Sequence, residues 1–269
     1  MPWYTHFQCR EAPFSKEIAD MDLWIPAALR TLMDTMEESI RNRKSGYLIA
    51  ESGGGKTCLF RALRTRLTLP NFRLTYCHNA TLGRRDFYRQ LCGALGLAPA
   101  ATAAGVFNAI NQHVEASSRD RIHPVFVIDE AHLLHQDTLD HLHILMNYDW
   151  DSKALLSLVL VGLPELEFRL GGKHNRALYT RLHTRLRIPP LSIADSAAYL
   201  AHRLAHVGGR GDTFQTDAVA RLHEATHGGM REMDRLASDA LRLGSERRLD
   251  TIDARCVDDV IDRLEAQRA

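Results

Sequence analysis

The sequence predicts an α/β domain built on a parallel sheet, followed by a small all-α domain. Three observations carry that prediction. Residues 125–128 (Val-Phe-Val-Ile) and 155–161 are apolar runs without polar alternation, as expected of strands buried on both faces. Stretches of helical periodicity separate the strand candidates, and alternating strand and helix with buried strands means parallel pairing. Beyond Pro189-Pro190 only helical periodicity remains. The organisation that follows is an N-terminal segment and helix over 1–45, an α/β domain over 46–189 and a helical domain over 190–269.

Each element has its own reason. Residues 25–43 place Leu29, Leu32, Met33, Met36 and Ile40 at spacings of three and four, an amphipathic helix. Residues 47–50 (Tyr-Leu-Ile-Ala) form a short apolar strand that runs into a glycine-rich loop, and helical periodicity resumes over 56–67. Residues 73–77 predict a second strand, and 85–95 a helix stopped by Gly96 and Pro99. After a small-residue loop comes a helix over 106–115, then the two buried strands. The last part predicts helices over 193–206, 216–226, 231–243 and 254–266.

Composition narrows the class. With 45% apolar and 25% charged residues in 269, the chain is an ordinary globular sequence and not a disordered one. No run approaches the ~18–20 apolar residues of a membrane span, and the first residues lack a basic segment followed by an apolar one. Cys9, Cys58, Cys77, Cys92 and Cys256 are scattered without a CxxC pair, which fits reduced thiols and a cytoplasmic location. A net charge of +1 makes no global case for nucleic acid. Yet 29 of the 34 basic residues are arginine, and 168–187 holds six basic residues and no acidic one. Such a block is either a solvated face or a surface that meets phosphates.

The chemistry is concentrated at two strand ends. Residues 50–57 read Ala-Glu-Ser-Gly-Gly-Gly-Lys-Thr, a GxxxxGK[ST] phosphate loop with alanine at its first position, placed between a strand and a helix. Glycines let successive backbone N–H groups curl around a phosphate, and the helix N-terminus adds partial positive charge. Ala50, Ser52, Gly53, Gly54, Gly55, Lys56, Thr57 and Cys58 are the candidate ATP-binding residues, with Lys56 for the terminal phosphates and the Thr57 hydroxyl for Mg²⁺. The second strand end is Asp129-Glu130. There Asp129 would hold the Mg²⁺ shell and Glu130 would polarise the attacking water, since open α/β sheets bind ligands beyond the C-terminal ends of their strands. Residues 129–132 spell Asp-Glu-Ala-His, but a helicase of that type needs a second sheet domain, and after 190 only helices follow.

Together these motifs resemble the AAA+ ATPases, in particular the ExeA-like branch and the transposition helpers (TniB- and MuB-like). The resemblance runs from Tyr4-Thr5-His6-Phe7 and residues 13–17 (PFSKE) through VFVIDEAHLL, LVLVGLPEL and RLHTRLRIPPLS to HGGMREMDRL at 227–236. It implies a P-loop AAA+ sandwich with a small all-α lid. It also implies that Arg181, before the last strand, is an arginine finger reaching a neighbour's γ-phosphate, with Arg185 as the alternative. Arg231, at the start of a lid helix, would close over bound nucleotide. At the end of the LVLVG strand the family's polar sensor is replaced by Leu163, which cannot hydrogen-bond a water or phosphate. With Ala50, this predicts slow ATP hydrolysis, stimulated by DNA or a partner.

The resemblance further implies self-association into a ring or filament around double-stranded DNA, held by backbone contacts that are largely sequence-independent. Arg84, Arg85 and Arg89 are the DNA candidates, with Arg41, Arg43 and Lys44 as a second patch. The partner implied is a transposase helped in choosing its target. Two other readings stand beside it. One is an ExeA-like secretion ATPase, which calls for a membrane span and a periplasmic module that these residues do not show; the other is a defence- or initiator-type nucleotide switch. Fourteen histidines, including His132, His135, His141 and His143, have no metal-ligand spacing and read as solvated helix faces.

Overall fold

The computed structural model describes residues 2–67, 71–78, 80–98 and 100–267; Pro99, expected to help stop a helix, lies outside them. Two units are distinct: residues 27–50 with 56–188, and residues 2–26 with 51–55 and 189–267. The sequence groups residues 1–45 together, whereas the first 26 associate with the C-terminal helices. Phe7, Cys9 and Phe14 explain this, because all three are buried in the helical unit's core.

In the α/β unit, α1 (Ala27–Arg41) precedes β1 (Ser45–Ile49) and α2 (Lys56–Arg66). Helix α1 is two residues shorter at each end than its periodicity suggests. Pro26 keeps Ile25 out of the helical region, and Arg43 turns left-handed at φ 54. Then come β2 (Phe72–Cys77), α3 (Arg84–Ala94), α4 (Ala103–Arg119) and β3 (His123–Ile128). Helix α4 starts earlier than predicted because the Thr102 side chain caps it, accepting from the Gly105 N–H. Next are α5 (Gln136–Leu145), β4 (Ser157–Gly162), α6 (Pro164–Gly171), the single turn α7 (Arg176–Tyr179) and β5 (Leu182–Arg187).

The five strands are all parallel, in the order β2-β3-β4-β1-β5. Strands β1, β3 and β4 are buried at every position, which accounts for their unbroken apolar runs. Edge strand β5 alternates buried Leu182 with exposed His183, Arg185 and Arg187. Between β1 and β5 the register shifts at Gly46, where any Cβ would collide with the Thr184 carbonyl. Ile49 pairs with Gly162, and Ile128 with Leu160. The phosphate loop, Asp129 and Leu163 therefore leave the same edge of the sheet.

The helical unit comprises α8 (Ile193–His206), α9 (Thr216–Thr226), α10 (Met230–Glu246) and α11 (Ala254–Ala266). Buried Arg203 ties the N-terminal segment to α8, donating to the carbonyls of Pro13 (2.9 Å) and Ser15 (2.6 Å) and to the Tyr199 hydroxyl. His227 ends α9 left-handed at φ 49. Gly228 (φ 72) follows, where a Cβ would lie 2.5 Å from the Leu191 carbonyl oxygen, so only glycine fits that turn. Among the described residues no helix is long and apolar enough to cross a membrane.

Candidate nucleotide site

The loop after β1 is shaped by glycines that other residues cannot replace without strain. Gly53 and Gly55 adopt φ 74 and φ 90, and Gly54 N–H donates to the Glu51 carbonyl at 3.1 Å. Ala50 is buried, and its N–H donates to the Gly162 carbonyl at 3.1 Å, fixing the loop's entry to β4. Alanine at this first position is thus absorbed without a left-handed residue. Lys56 opens α2 and is only 8% exposed; its ammonium donates to the Ala50 carbonyl at 3.0 Å. A buried ammonium in the first turn of a helix, whose N-terminal N–H groups lack intrahelical partners, is a place for oxyanions. Thr57 is exposed at the next position of α2, and Cys58 is half-buried behind it.

Two strands away, a gap of roughly 10 Å at ordinary strand spacing, Asp129 leaves β3. It is 8% exposed, and its Oδ1 accepts from the Glu130 N–H at 2.8 Å. Its Oδ2 accepts from the hydroxyl of Tyr76 on β2, a residue that sequence reasoning did not single out. Burial, then this bond and the Asp129 charge, push the Tyr76 phenol well above its ordinary range, so it remains a donor. Glu130 follows in a left-handed conformation (φ 51), strain of about 1 kcal/mol or more of the kind that gathers at functional sites.

Asp129 and Thr57 are hard oxygen donors suited to Mg²⁺, which takes one or two protein ligands beside substrate phosphates. The residues present therefore fit a magnesium nucleotide. Among the described residues no group of three or more His, Cys, Asp or Glu could hold a metal by itself.

Of the histidines after Glu130, His132 and His141 are not on solvated faces, whereas His135 is exposed. The His132 side chain is 12% exposed, and its Nδ1 lies 3.4 Å from Glu130 Oε2 and 3.5 Å from the backbone nitrogen of Leu163. His141 is half-buried against Tyr88 and Phe107, and burial lowers its pKa. His135 contacts the Thr81 carbonyl at 3.0 Å.

Arg181 stands directly before β5. It donates to Asp151 at 2.6 Å and to the Ala177 carbonyl at 3.0 Å, while its buried Nε has no hydrogen-bond partner among the described residues. Arg185 lies over the Tyr179 ring, 3.7 Å from its centroid, and bonds the Tyr179 hydroxyl at 2.6 Å. In the helical unit, Arg231 begins α10 and reaches Ser52 Oγ at 3.3 Å.

Arg84 and Arg85 are exposed in the first turn of α3, behind an N-cap Gly83 that gives no side-chain bond, and Arg85 contacts the Ala101 carbonyl at 2.8 Å. Cations at a helix N-terminus are disfavoured unless an anion answers them, and the one acidic side chain of that turn is Asp86. Arg89 lies a turn later and is half-buried. In the second patch Arg41 is neutralised by Glu37 at 2.7 Å, which leaves exposed Arg43 and Lys44 beside it.

The chain is an α/β protein built on a five-stranded parallel sheet with a glycine-rich loop after β1 and an acidic pair after β3. Residues 39–170 match the family described as AAA domain. The chain is 32% identical over 197 residues to General secretion pathway protein A of Aeromonas hydrophila. That alignment covers 72% of this chain and 36% of the relative, so the chain spans about a third of the relative's length. Solved structures share the fold at lower identity. The Aeropyrum pernix ORC1 protein in complex with DNA has a TM-score of 0.68 at 19% identity, covering 96% of this chain and 70% of that one. The Thermotoga maritima RuvB Holliday junction branch migration motor has a TM-score of 0.60 at 16% identity, covering 94% and 73%.

Proposed function

We propose that the chain is an ATP-driven AAA+ switch that assembles with copies of itself on double-stranded DNA and assists a transposase in target selection. The observation that carries the nucleotide part is the left-handed glycine loop that follows β1, together with the Asp129-Glu130 pair that follows β3, a strand separated from β1 in the sheet by β4 alone. In this reading residues 50–58 cradle the phosphates, with Lys56 on the terminal ones. Thr57 and Asp129 hold Mg²⁺, which screens charge on the phosphates. Glu130 accepts a proton from the attacking water. Arg181 acts on the nucleotide of a neighbouring copy. Both arginines are engaged on their own chain, Arg185 with Tyr179 and Arg181 with Asp151 and the Ala177 carbonyl, so Arg181 is taken as the finger for its place directly before β5 and must leave Asp151 to act. Arg231, already on Ser52, responds to nucleotide from the helical unit.

Support for DNA comes from exposed Arg84 and Arg85 at the start of α3, where two cations outnumber the one acid, Asp86, and from the fold shared with the Aeropyrum pernix ORC1 protein solved in complex with DNA. Backbone-only contact predicts weak sequence preference and steep salt dependence. A second reading, an ATPase associated with secretion, is favoured by the Aeromonas relative. Since the 197 aligned residues are 36% of that relative, it is about twice as long as this chain, and the lack of a span in these residues does not weigh against it.

One experiment separates the readings. Electron microscopy and gel shifts are done on protein with random duplex, with and without a non-hydrolysable ATP analogue. Analogue-dependent filaments or rings on DNA are expected, lost in Lys56→Ala and weakened in Arg84→Ala/Arg85→Ala. Analogue binding without any DNA association would remove the transposition reading and leave the secretion one.

A further inference from the structure

At the end of β4 this chain carries Leu163 where the resemblance expects a polar side chain, and the structure puts another polar group there. Gly162 makes room for it: a Cβ at 162 would sit 3.2 Å from the backbone nitrogen of His132. The imidazole is nearly buried, with Nδ1 between two partners, Glu130 Oε2 at 3.4 Å and the Leu163 N–H at 3.5 Å. One ring nitrogen cannot serve both at once: with a proton Nδ1 donates to Glu130, and without one it accepts from Leu163.

The turn carrying His132 is held from outside the sheet. Arg169 on α6 donates to the His132 carbonyl at 2.5 Å and to the Leu134 carbonyl at 2.8 Å. Arg169's own carbonyl accepts from buried Asn175 at 2.8 Å, and Asn175 in turn accepts from Gln136 on α5 at 2.7 Å. Glu130 is left-handed within this clamp. A carboxylate carried on a left-handed residue, a braced backbone and a histidine within 3.4 Å of that carboxylate form a positioning device.

We propose that His132 is the positioning residue for Glu130 and replaces the missing polar side chain of position 163. The proposal rests on the reading of Glu130 as the group that polarises water. His132 does not touch the phosphates; it fixes the carboxylate that does the chemistry and ties its orientation to the β4–α6 turn.

The test uses the full chain and two variants of similar size. His132→Leu keeps the packing without polar atoms, and His132→Asn keeps a donor and an acceptor. His132→Leu is expected to lower kcat by ~10- to 100-fold, the range for a misplaced catalytic group. The affinity for a non-hydrolysable ATP analogue, read by calorimetry, and the melting temperature should stay near wild type. His132→Asn should recover most of the rate, as should Leu163→Asn placed in the His132→Leu background. Glu130→Gln is the reference and should abolish turnover while retaining analogue binding. Equal turnover in His132→Leu and His132→Asn, with Glu130→Gln inactive, overturns the proposal alone. Turnover surviving in Glu130→Gln overturns the reading of Glu130 beneath it.

Discussion

Substituting alanine for Gly53 tests the phosphate loop at its most constrained point. The residue sits at φ 74, and an added Cβ would lie 2.6 Å from the Cβ of Arg231, a distance real carbon pairs do not show. A left-handed alanine costs about 1–2 kcal/mol. The collision adds roughly 1–3 kcal/mol of overpacking, because Arg231's Cβ is fixed to α10 and cannot swing away like a side-chain tip. The expected total is about 2–5 kcal/mol. It shows as lower stability if the loop keeps its shape, or as weaker nucleotide binding if the loop relaxes. At 1.4 kcal/mol per tenfold, even the lower end is roughly 30-fold in affinity if it falls wholly on binding. Calorimetry with an ATP analogue and a thermal melt together capture both losses. Arg231→Gly removes the colliding atom but carries its own losses, a helix cost and the Ser52 contact, so the collision component is the coupling that a double-mutant cycle with both single variants isolates. Analogue affinity within about threefold of wild type, with an unchanged melt, is incompatible with this loop geometry.

Three further outcomes follow from named contacts. Tyr76→Phe removes the donor on Asp129 Oδ2, so the Mg²⁺ concentration needed for half-maximal analogue binding should fall by up to ~10-fold, the scale of a hydrogen bond to a charged group at a half-exposed site; an unchanged or higher requirement refutes the idea that the phenol competes with the metal. Asp151→Ala releases Arg181 from an exposed ion pair worth at most ~1 kcal/mol, so analogue-dependent self-association should rise by no more than ~5-fold. Arg181→Ala should instead lose hydrolysis while keeping nucleotide binding, and identical behaviour of the two variants would remove Arg181 as the finger. His123 is buried against Ser157, and burial together with Arg43 lowers its pKa to about 4 from 6.5. The unfolded chain therefore binds the extra proton first. Its contribution to stability is complete above pH ~6.5 and falls as pH drops toward 4, by on the order of 2–3 kcal/mol. The difference in melting temperature between wild type and His123→Gln should change across that window and stay flat above it.

How much of this was legible in the sequence depends on what each signal measures. Strands β1, β3 and β4 are buried on both faces, so their apolar runs stand out, and the phosphate loop and Asp129-Glu130 are contiguous strings. Helices α8, α9 and α11 match their periodicity end to end because each is amphipathic along its whole length. Edge strand β5 alternates with charged residues, and α6 and α7 span only eight and four residues, too short for a period to declare itself. The contacts that matter most at the site join residues far apart in the chain: Tyr76 with Asp129, Asp151 with Arg181, and His132 with the β4 end. No spacing rule reaches them, since each depends on which strands become neighbours. The DEAH string illustrates the point. As a string it suggests a helicase, and as a histidine it suggests a solvated helix face. Its use emerges only once β3 and β4 pair, so that the residue three positions after Asp129 meets the residue after Gly162. A sequence that loses a polar side chain at one strand end can thus supply it from the next strand, and a motif scanned one strand at a time records only the loss.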